Sequence, residues 1–232
     1  MEKDVKKALD DIDSVNPFAT YLSDSTLSRV GGWIDTGSYV LNAIVSGSIH
    51  GGIPKGRVTM LAGESMTGKS LFVMKILAAA QKEGLIPVIF DTENAIDPEG
   101  AERLGLDVSN VKYVPCISIE QTRNALYKFL TTVKEKGLEG KFIVAIDSLG
   151  NLQSELSLAR MGKDSTSTDM GTNARAMKSL MQTCTNLGAV TQTTILCTNH
   201  VYDNPAALFP SIEKNMPGGK SCVYLPSVTI QL

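Results

Sequence analysis

Residues 63–70 could bind a nucleotide phosphate, because they read Gly63-Glu64-Ser65-Met66-Thr67-Gly68-Lys69-Ser70, a full match to the phosphate-loop pattern. The two glycines let the backbone curl so that consecutive N–H groups point at phosphate oxygens, and the next helix adds its positive N-terminal end. In such a loop Lys69 reaches the β- and γ-phosphates, and the Ser70 hydroxyl ligates Mg²⁺. The motif therefore predicts a site for a nucleoside triphosphate and magnesium.

Two acidic residues near the ends of apolar runs are candidates for the same chemistry. Asp147 ends the run 142–147, and Glu93 follows the run 86–91 by two residues. An acid at a strand end beside a phosphate loop completes the magnesium shell, so Asp147 is predicted to be a metal ligand. Glu93 can orient and deprotonate an attacking water. From the spacing alone, Asp147 as a capping acid and Glu93 as a solvated loop carboxylate remain open.

These residues need a scaffold, and the hydrophobic pattern predicts one. Strands are predicted at 58–62, 86–91, 111–114, 142–147, 193–198 and 228–232. Helices are predicted at 71–82, 99–104, 119–136 and 173–187. Strands that alternate with helices indicate an α/β fold with a mostly parallel, twisted sheet and helices on both faces.

Two long polar segments, about 150–170 and 201–217, interrupt this alternation, and loops of that length are functional or disordered. Basic residues in or just after them are Arg160, Lys163, Arg175, Lys178, Lys214 and Lys220. Such side chains can neutralise the phosphates of a single nucleic-acid strand. Because acids lie in the same segments, ordinary solvated loops remain the alternative.

Composition limits the remaining possibilities. The chain has 232 residues, a net charge of −2 and 43% hydrophobic residues, so it is not a strongly basic nucleic-acid binder and any polyanion needs a local patch. No apolar run approaches the ~20 residues that span a bilayer, and the charged N-terminus lacks the apolar core of a secretion signal. We therefore expect no membrane segment and a cytoplasmic location. The four cysteines are widely spaced, which favours free or buried thiols over a metal site.

The order of several short motifs resembles the ATPase core of RecA-type strand-exchange recombinases. Behind the phosphate loop come Asp91-Thr92-Glu93-Asn94-Ala95-Ile96-Asp97-Pro98 and then Asp147-Ser148. Agreement extends to Thr36-Gly37-Ser38, Met170-Gly171-Thr172-Asn173-Ala174-Arg175, Thr198-Asn199-His200 and Gly218-Gly219. The runs Asp147-Ser148-Leu149-Gly150-Asn151-Leu152 and Asn199-His200-Val201-Tyr202 are similar to the phage branch, the UvsX-like recombinases. The resemblance covers about residues 33–232 and implies a RecA-like P-loop core.

The resemblance implies a role for several site residues, with ATP and Mg²⁺ as ligands. Glu93 would be the catalytic carboxylate that activates water. Asn199 and His200 match the family's sensor of the γ-phosphate, although a histidine at a strand end can also be purely structural. Asp97 matches the family's adenine contact, whereas Gly100 stands where many relatives carry an aromatic residue that stacks on the base.

The resemblance also implies macromolecular partners. The two long segments match the family's DNA-binding loops, which makes single-stranded and double-stranded DNA the expected partners. Residues 1–32 would be a polymerisation arm and linker, with Phe18 as an apolar anchor, that docks on the next subunit and builds a helical filament. A locally packed tail is the alternative. Residues 33–232 would be the ATPase core, truncated at its C-terminal end because the family core continues further.

The sequence thus predicts an ATP-dependent DNA recombinase that forms filaments on single-stranded DNA and promotes homologous pairing and strand exchange in recombination and repair. If the chain is of phage origin, its location is the host-cell cytoplasm. Two alternatives stay open: a RecA-fold helicase or other DNA motor, and a nucleotide-dependent binding protein without turnover.

Overall fold

The computed structural model describes residues 2–16, 18–25, 27–161, 170–204 and 214–232. Their strands are β1 (Trp33–Ile34), β2 (Ile53–Pro54), β3 (Val58–Gly63), β4 (Ile86–Asp91), β5 (Lys112–Pro115), β6 (Phe142–Asp147), β7 (Thr194–His200), β8 (Tyr202–Asp203), β9 (Lys214–Asn215) and β10 (Val228–Gln231). Their helices are α1 (Glu2–Val15), α2 (Tyr39–Ser46), α3 (Lys69–Lys82), α4 (Pro98–Arg103), α5 (Ile119–Glu135), α6 (Glu155–Met161), α7 (Met170–Val190) and α8 (Ser221–Tyr224).

Six of these strands form the central sheet in the order β10-β3-β7-β6-β4-β5. Every neighbouring pair in this sheet is parallel. The register places Asp91 opposite Asp147, and Gly63 opposite His200. Because parallel strands all end at the same edge, the candidate site residues are carried to one edge of the sheet.

The core has two layers, one on each face of this sheet. On one face, Phe90 and Ile146 pack against α5, α7 and α8. On the other face, Ile89 and Ala145 pack against α3 and α4. Adjacent residues of one strand point to opposite faces, and here both faces are covered, which explains why these strands are continuously apolar. The predicted α/β fold with helices on both faces is confirmed.

Local signals account for most helix boundaries. The Ser118 hydroxyl accepts the Gln121 N–H at the start of α5, and the Asp97 carboxylate accepts the Glu99 and Gly100 N–H groups at the start of α4. Ser and Asp are strongly preferred at this capping position because their side chains satisfy otherwise unpaired backbone donors. Gly68 precedes α3 with φ of 91°, a conformation that favours glycine.

The predicted boundaries of β4 and β6 agree with the structure residue for residue, whereas other elements differ. Helix α7 is longer than the predicted 173–187, and β7 continues past 198 so that it includes Asn199 and His200. The first long segment contains α6, and the second contributes the paired strands β8 and β9. Two-residue strands carry too little periodicity to be seen in a sequence.

All four cysteines are free and buried, as the sequence predicts. Burial raises the pKa of Cys116 and raises that of Cys222 to about 12, while the neighbouring Cys184 thiol and burial raise the pKa of Cys197. In the described part of the chain, no three or more His, Cys, Asp or Glu side chains are grouped so that they could hold a metal ion. Among those same residues, no helix combines the length and the apolar character needed to cross a bilayer.

Replacing Leu126 by Ala tests the layer formed by α5. This side chain is fully buried against the α7 side of the core, so the substitution should lower the free energy of unfolding by about 2–5 kcal/mol through lost burial and a cavity. The neighbouring Tyr127 is 57% exposed, and Tyr127→Ala should change it by about 0.5 kcal/mol or less. Urea unfolding measures both, and equal effects would contradict the assigned packing.

Candidate functional site

The phosphate loop joins the buried strand β3 to helix α3. Lys69 begins α3, and its ammonium group donates hydrogen bonds to the carbonyl oxygens of Gly63 at 2.9 Å and of Glu64 at 2.6 Å. Burial lowers the pKa of Lys69, and the negative charges of Asp147 and Glu93 oppose that shift. The lysine therefore points into its own loop, next to the positions where phosphate oxygens would be bound.

Close contacts explain why the first loop glycine is needed. A Cβ atom on Gly63 would lie 2.5 Å from the Thr67 hydroxyl oxygen and 3.1 Å from the Leu232 carbonyl oxygen. The Thr67 hydroxyl in turn donates to the Glu64 carbonyl at 2.9 Å, which closes the loop on itself. Met66 at the tip is fully exposed, so its side chain points into solvent.

Asp147 is the buried acid of the site. Its Oδ2 accepts a hydrogen bond from the Ser70 hydroxyl at 2.9 Å, and its Oδ1 accepts one from the Thr198 hydroxyl. Burial raises the pKa of Asp147, while these two hydroxyls lower it in part. A hydroxyl and a carboxylate oxygen in contact are hard ligands of the kind that Mg²⁺ prefers. The predicted pair of metal ligands, Ser70 and Asp147, is thus brought together.

Glu93 lies in front of Asp147, on the loop that follows β4. Its Oε1 accepts a hydrogen bond from the Ser148 hydroxyl at 2.7 Å and lies 3.3 Å from the His200 Nε2. The loop backbone is fixed as well, because the N–H groups of Glu93 and Asn94 both donate to Asp91 Oδ1 at 2.9 Å. The Glu93 carboxylate is therefore held in one orientation although its side chain is 33% exposed.

A reciprocal contact joins the ends of β4 and β6. The Thr92 hydroxyl donates to the Ser148 carbonyl at 2.8 Å and accepts from the Ser148 N–H at 2.9 Å. The Thr92 N–H donates to the Asp147 carbonyl at 2.8 Å. These contacts fix the position of Glu93 relative to Asp147.

The two residues of the predicted sensor point in different directions. His200 faces Glu93, whereas Asn199 is fully buried and donates from Nδ2 to the Pro217 carbonyl at 3.0 Å. Among the residues that the structure describes, the Asn199 Oδ1 has no hydrogen-bond partner. The side chain of Asn199 is thus placed against the segment after β9, and only His200 faces the open site.

A cavity of about 370 Å³ is lined by Ser70 and Asp147 and by residues of α4. At one end lie Ser70, Asp147 and Glu93, and at the other lie Asp97, Gly100 and Arg103, with Met74 and Leu104 supplying apolar walls. Asp97 lines this cavity while it caps α4. Beside the phosphate loop, a cavity lined by polar side chains and by apolar walls suits a nucleotide and its base.

The predicted DNA-binding residues do not share one environment. Arg175 and Lys178 are exposed on α7, and Lys220 is exposed beside α8. Arg160 lies on α6, and Lys163 lies outside the described residues. Lys214 is different, because its ammonium group contacts the carboxylates of Glu64 and Asp203. Its charge is therefore directed towards the phosphate loop.

Sequence reasoning missed three hydroxyl residues that hold the site together: Thr92, Ser148 and Thr198. Ser148 and Thr92 each adjoin an assigned acid, Asp147 and Glu93 respectively, so sequence adjacency was a usable signal for both. Thr198 has no such signal. It reaches Asp147 only because β6 and β7 are neighbours in the sheet.

Comparison with known proteins gives a consistent result. The family described as RecA N-terminal domain matches residues 3–232. The protein named Protein RecA from Chlorobium chlorochromatii is 33% identical over 203 residues, which cover 86% of this chain and 53% of that protein. Protein RecA from Rubrobacter xylanophilus is 28% identical over 239 residues, covering 100% of this chain and 65% of the relative. The chain spans about half to two thirds of the length of these curated relatives.

Replacing Asp147 by Asn should raise the thermal stability of the protein in metal-free buffer at neutral pH. The pKa of Asp147 is raised above its usual 3.8 in the folded state. The free energy of unfolding therefore falls as the pH rises through that raised pKa, and at neutral pH the ionised carboxylate destabilises the folded protein. We expect the midpoint of thermal unfolding to rise by about 2–4 °C. The gain should shrink as the pH is lowered and Asp147 becomes protonated in the folded protein.

The control is Asp10→Asn on the exposed face of α1, which should shift the midpoint by about 2 °C or less. A lower midpoint for Asp147→Asn than for the unmodified protein would show that the hydrogen bonds from Ser70 and Thr198 outweigh the cost of burial.

Proposed function

The chain belongs to the RecA N-terminal domain family, and from this premise we propose that it is an ATP-dependent DNA recombinase. It would form filaments on single-stranded DNA and promote homologous pairing and strand exchange. One observation carries the proposal: the phosphate loop, the Ser70–Asp147 pair and the oriented Glu93 meet at one edge of the sheet. This is the arrangement that hydrolysis of a nucleoside triphosphate needs.

ATP with Mg²⁺ fits the site by the chemistry of its donors. The loop backbone and Lys69 would hold the phosphates, and the oxygens of Ser70 and Asp147 would hold the metal ion. Bound Mg²⁺ supplies neutralisation of the charge that develops on the phosphoryl oxygens. Asp97 and the apolar wall of the cavity would receive the adenine. Because Gly100 offers no side chain for stacking, the base would be held by its edge and by Met74 and Leu104.

Glu93 would position and deprotonate the attacking water. Its Oε1 accepts from the Ser148 hydroxyl and lies near His200, and its second carboxylate oxygen is the one proposed to bind water. A base must be held within hydrogen-bond reach of the proton it takes. The contacts to Ser148 and Asp91 provide that fixed position.

His200 is proposed as the sensor of the γ-phosphate. It ends β7, directly opposite Gly63 in the sheet register, and its ring faces the proposed base. A bound γ-phosphate that attracts the His200 ring would draw it away from Glu93. The residues after His200 would then shift with it. Asn199, which is bonded to the Pro217 carbonyl, would pass such a shift to the segment before the glycine pair.

DNA binding is proposed for the exposed cations near the two long segments. Arg175, Lys178 and Lys220 are exposed, and Arg160 and the undescribed Lys163 are proposed to complete the set. Contacts of this kind neutralise backbone phosphates without reading sequence, so binding to single strands should weaken steeply with salt. Double-stranded DNA would be the second substrate, for pairing.

The polymerisation arm remains a proposal supported by its surface. On α1 the side chains of Val5, Leu9 and Ile12 are all more than 40% exposed, and Phe18 is 47% exposed. An apolar stripe left in solvent marks an interaction surface, and a contact to a neighbouring subunit there would propagate a filament.

We also propose that the chain belongs to the phage, UvsX-like branch, because its runs 147–152 and 199–202 resemble that branch. Its location would then be the host-cell cytoplasm.

Addition of single-stranded DNA should raise the rate of ATP hydrolysis. The increase should shrink steeply between about 50 and 200 mM salt, because phosphate contacts release counterions. A coupled assay of phosphate release measures the rate of hydrolysis. Lys69→Ala should abolish hydrolysis both with and without single-stranded DNA. Hydrolysis without any response to DNA would contradict the recombinase proposal, and unwinding without strand exchange would favour a helicase.

Replacing Glu93 by Gln should lower kcat by about 10²- to 10⁴-fold, because the amide cannot take the proton of water. Binding of a non-hydrolysable ATP analogue should persist, since Glu93 does not hold phosphate in this proposal. Glu135→Gln at the exposed end of α5 is the matched control and should leave kcat unchanged. Full activity of the Glu93 variant would remove this residue from the mechanism.

A further inference from the structure

One lysine from the second long polar segment reaches the phosphate loop. Lys214 lies on β9, and its Nζ is 2.7 Å from the Oε1 of Glu64, the second residue of the loop. The same Nζ contacts the Oδ1 of Asp203 on β8. Although both carboxylates are well exposed, the lysine side chain is only 12% exposed. Lys214 is thus enclosed between two acids.

The backbone brings these groups together. Strands β8 and β9 are antiparallel, with Asp203 opposite Lys214. Just before β8, the Val201 N–H donates to the Gly63 carbonyl at 3.2 Å. The β8–β9 pair therefore begins one residue after a hydrogen bond to the first residue of the phosphate loop. This position lets Lys214 face that loop.

Glu64 is held by two lysines. Its carbonyl oxygen accepts from Lys69 at 2.6 Å, and its carboxylate accepts from Lys214 at 2.7 Å. The contact with Asp203 and then the contact with Glu64 raise the pKa of Lys214, so the cation stays charged across the neutral range. Without Lys214, the Glu64 carboxylate would stand unpaired on the loop that receives the triphosphate.

We propose that Lys214 is a positioning residue of the nucleotide site, which neutralises Glu64 so that its carboxylate does not repel a bound triphosphate. This inference rests on the proposed function only in that the loop binds a triphosphate. Repulsion between like charges a few ångströms apart grows with the charge of the ligand and falls with ionic strength. The role assigned to Lys214 is therefore tied to nucleotide charge, whereas the sequence had assigned it to DNA.

The test is a double-mutant cycle on Lys214 and Glu64, read as the Kd of a non-hydrolysable ATP analogue and of ADP with Mg²⁺ at low salt. We expect Lys214→Ala to raise the Kd of the ATP analogue about fivefold to tenfold. The Kd of the less charged ADP should rise less. Adding Glu64→Gln to Lys214→Ala should bring the Kd of the ATP analogue back to within about twofold of the value for the unmodified protein. Lys214→Arg should keep the affinity of the unmodified protein.

A matched control and a fold check keep the outcomes separate. Lys128→Ala on the exposed face of α5 should leave both Kd values unchanged, and thermal unfolding shows whether each variant is folded. Equal losses for Lys214→Ala and for the double variant would overturn the inference, because neutralisation of Glu64 would then not matter. Loss of affinity for single-stranded DNA with unchanged nucleotide Kd would overturn it in favour of the DNA role. If the unmodified protein binds no triphosphate, the proposed function and this inference both fall.

Discussion

The buried carboxylate of Asp147 is the group on which the site depends. It lies at the end of β6, and it accepts a hydrogen bond from the Ser70 hydroxyl on α3 and another from the Thr198 hydroxyl on β7. Burial alone makes the ionised form costly, as the raised pKa indicates. Hydroxyl donors offset part of that cost, and a divalent cation would offset more. β6, α3 and β7, which carry the proposed metal, phosphate and sensor groups, are therefore all in contact through the Asp147 carboxylate.

Strand register is what makes this meeting possible. In a parallel sheet, a slip of one residue would turn the Asp147 side chain to the opposite face and away from Ser70. The pairing of Asp91 with Asp147 also sets the Thr92–Ser148 contacts. Glu93 is thus oriented by the same register that positions Asp147. Its geometry is a property of the sheet as well as of its own loop.

Much of this site could be predicted because its signals are local. The phosphate loop is a contiguous motif, Asp147 ends one buried apolar run, and Glu93 comes two residues after another. Asn199 and His200 could not be told apart, because a motif does not say which of two adjacent strand residues faces the open edge. The sequence predicts a DNA contact for Lys214 from its place in a long polar segment, and that prediction stays open, but its contact with Glu64, 150 positions away, could not be foreseen. Pairing of distant charges depends on how β8 and β9 fold over the loop, and composition does not carry that information.

The chemistry of the four cysteines follows from their burial. A thiol reacts as thiolate, and a raised pKa leaves little thiolate at neutral pH. Cys116, Cys197 and Cys222 all have raised pKa values and, like Cys184, lie in the interior. Maleimide reagents should therefore bypass the native sulfurs. A single cysteine introduced on an exposed helix face would be the preferred attachment point for a fluorophore, so the protein could be labelled at one site without first removing the native thiols.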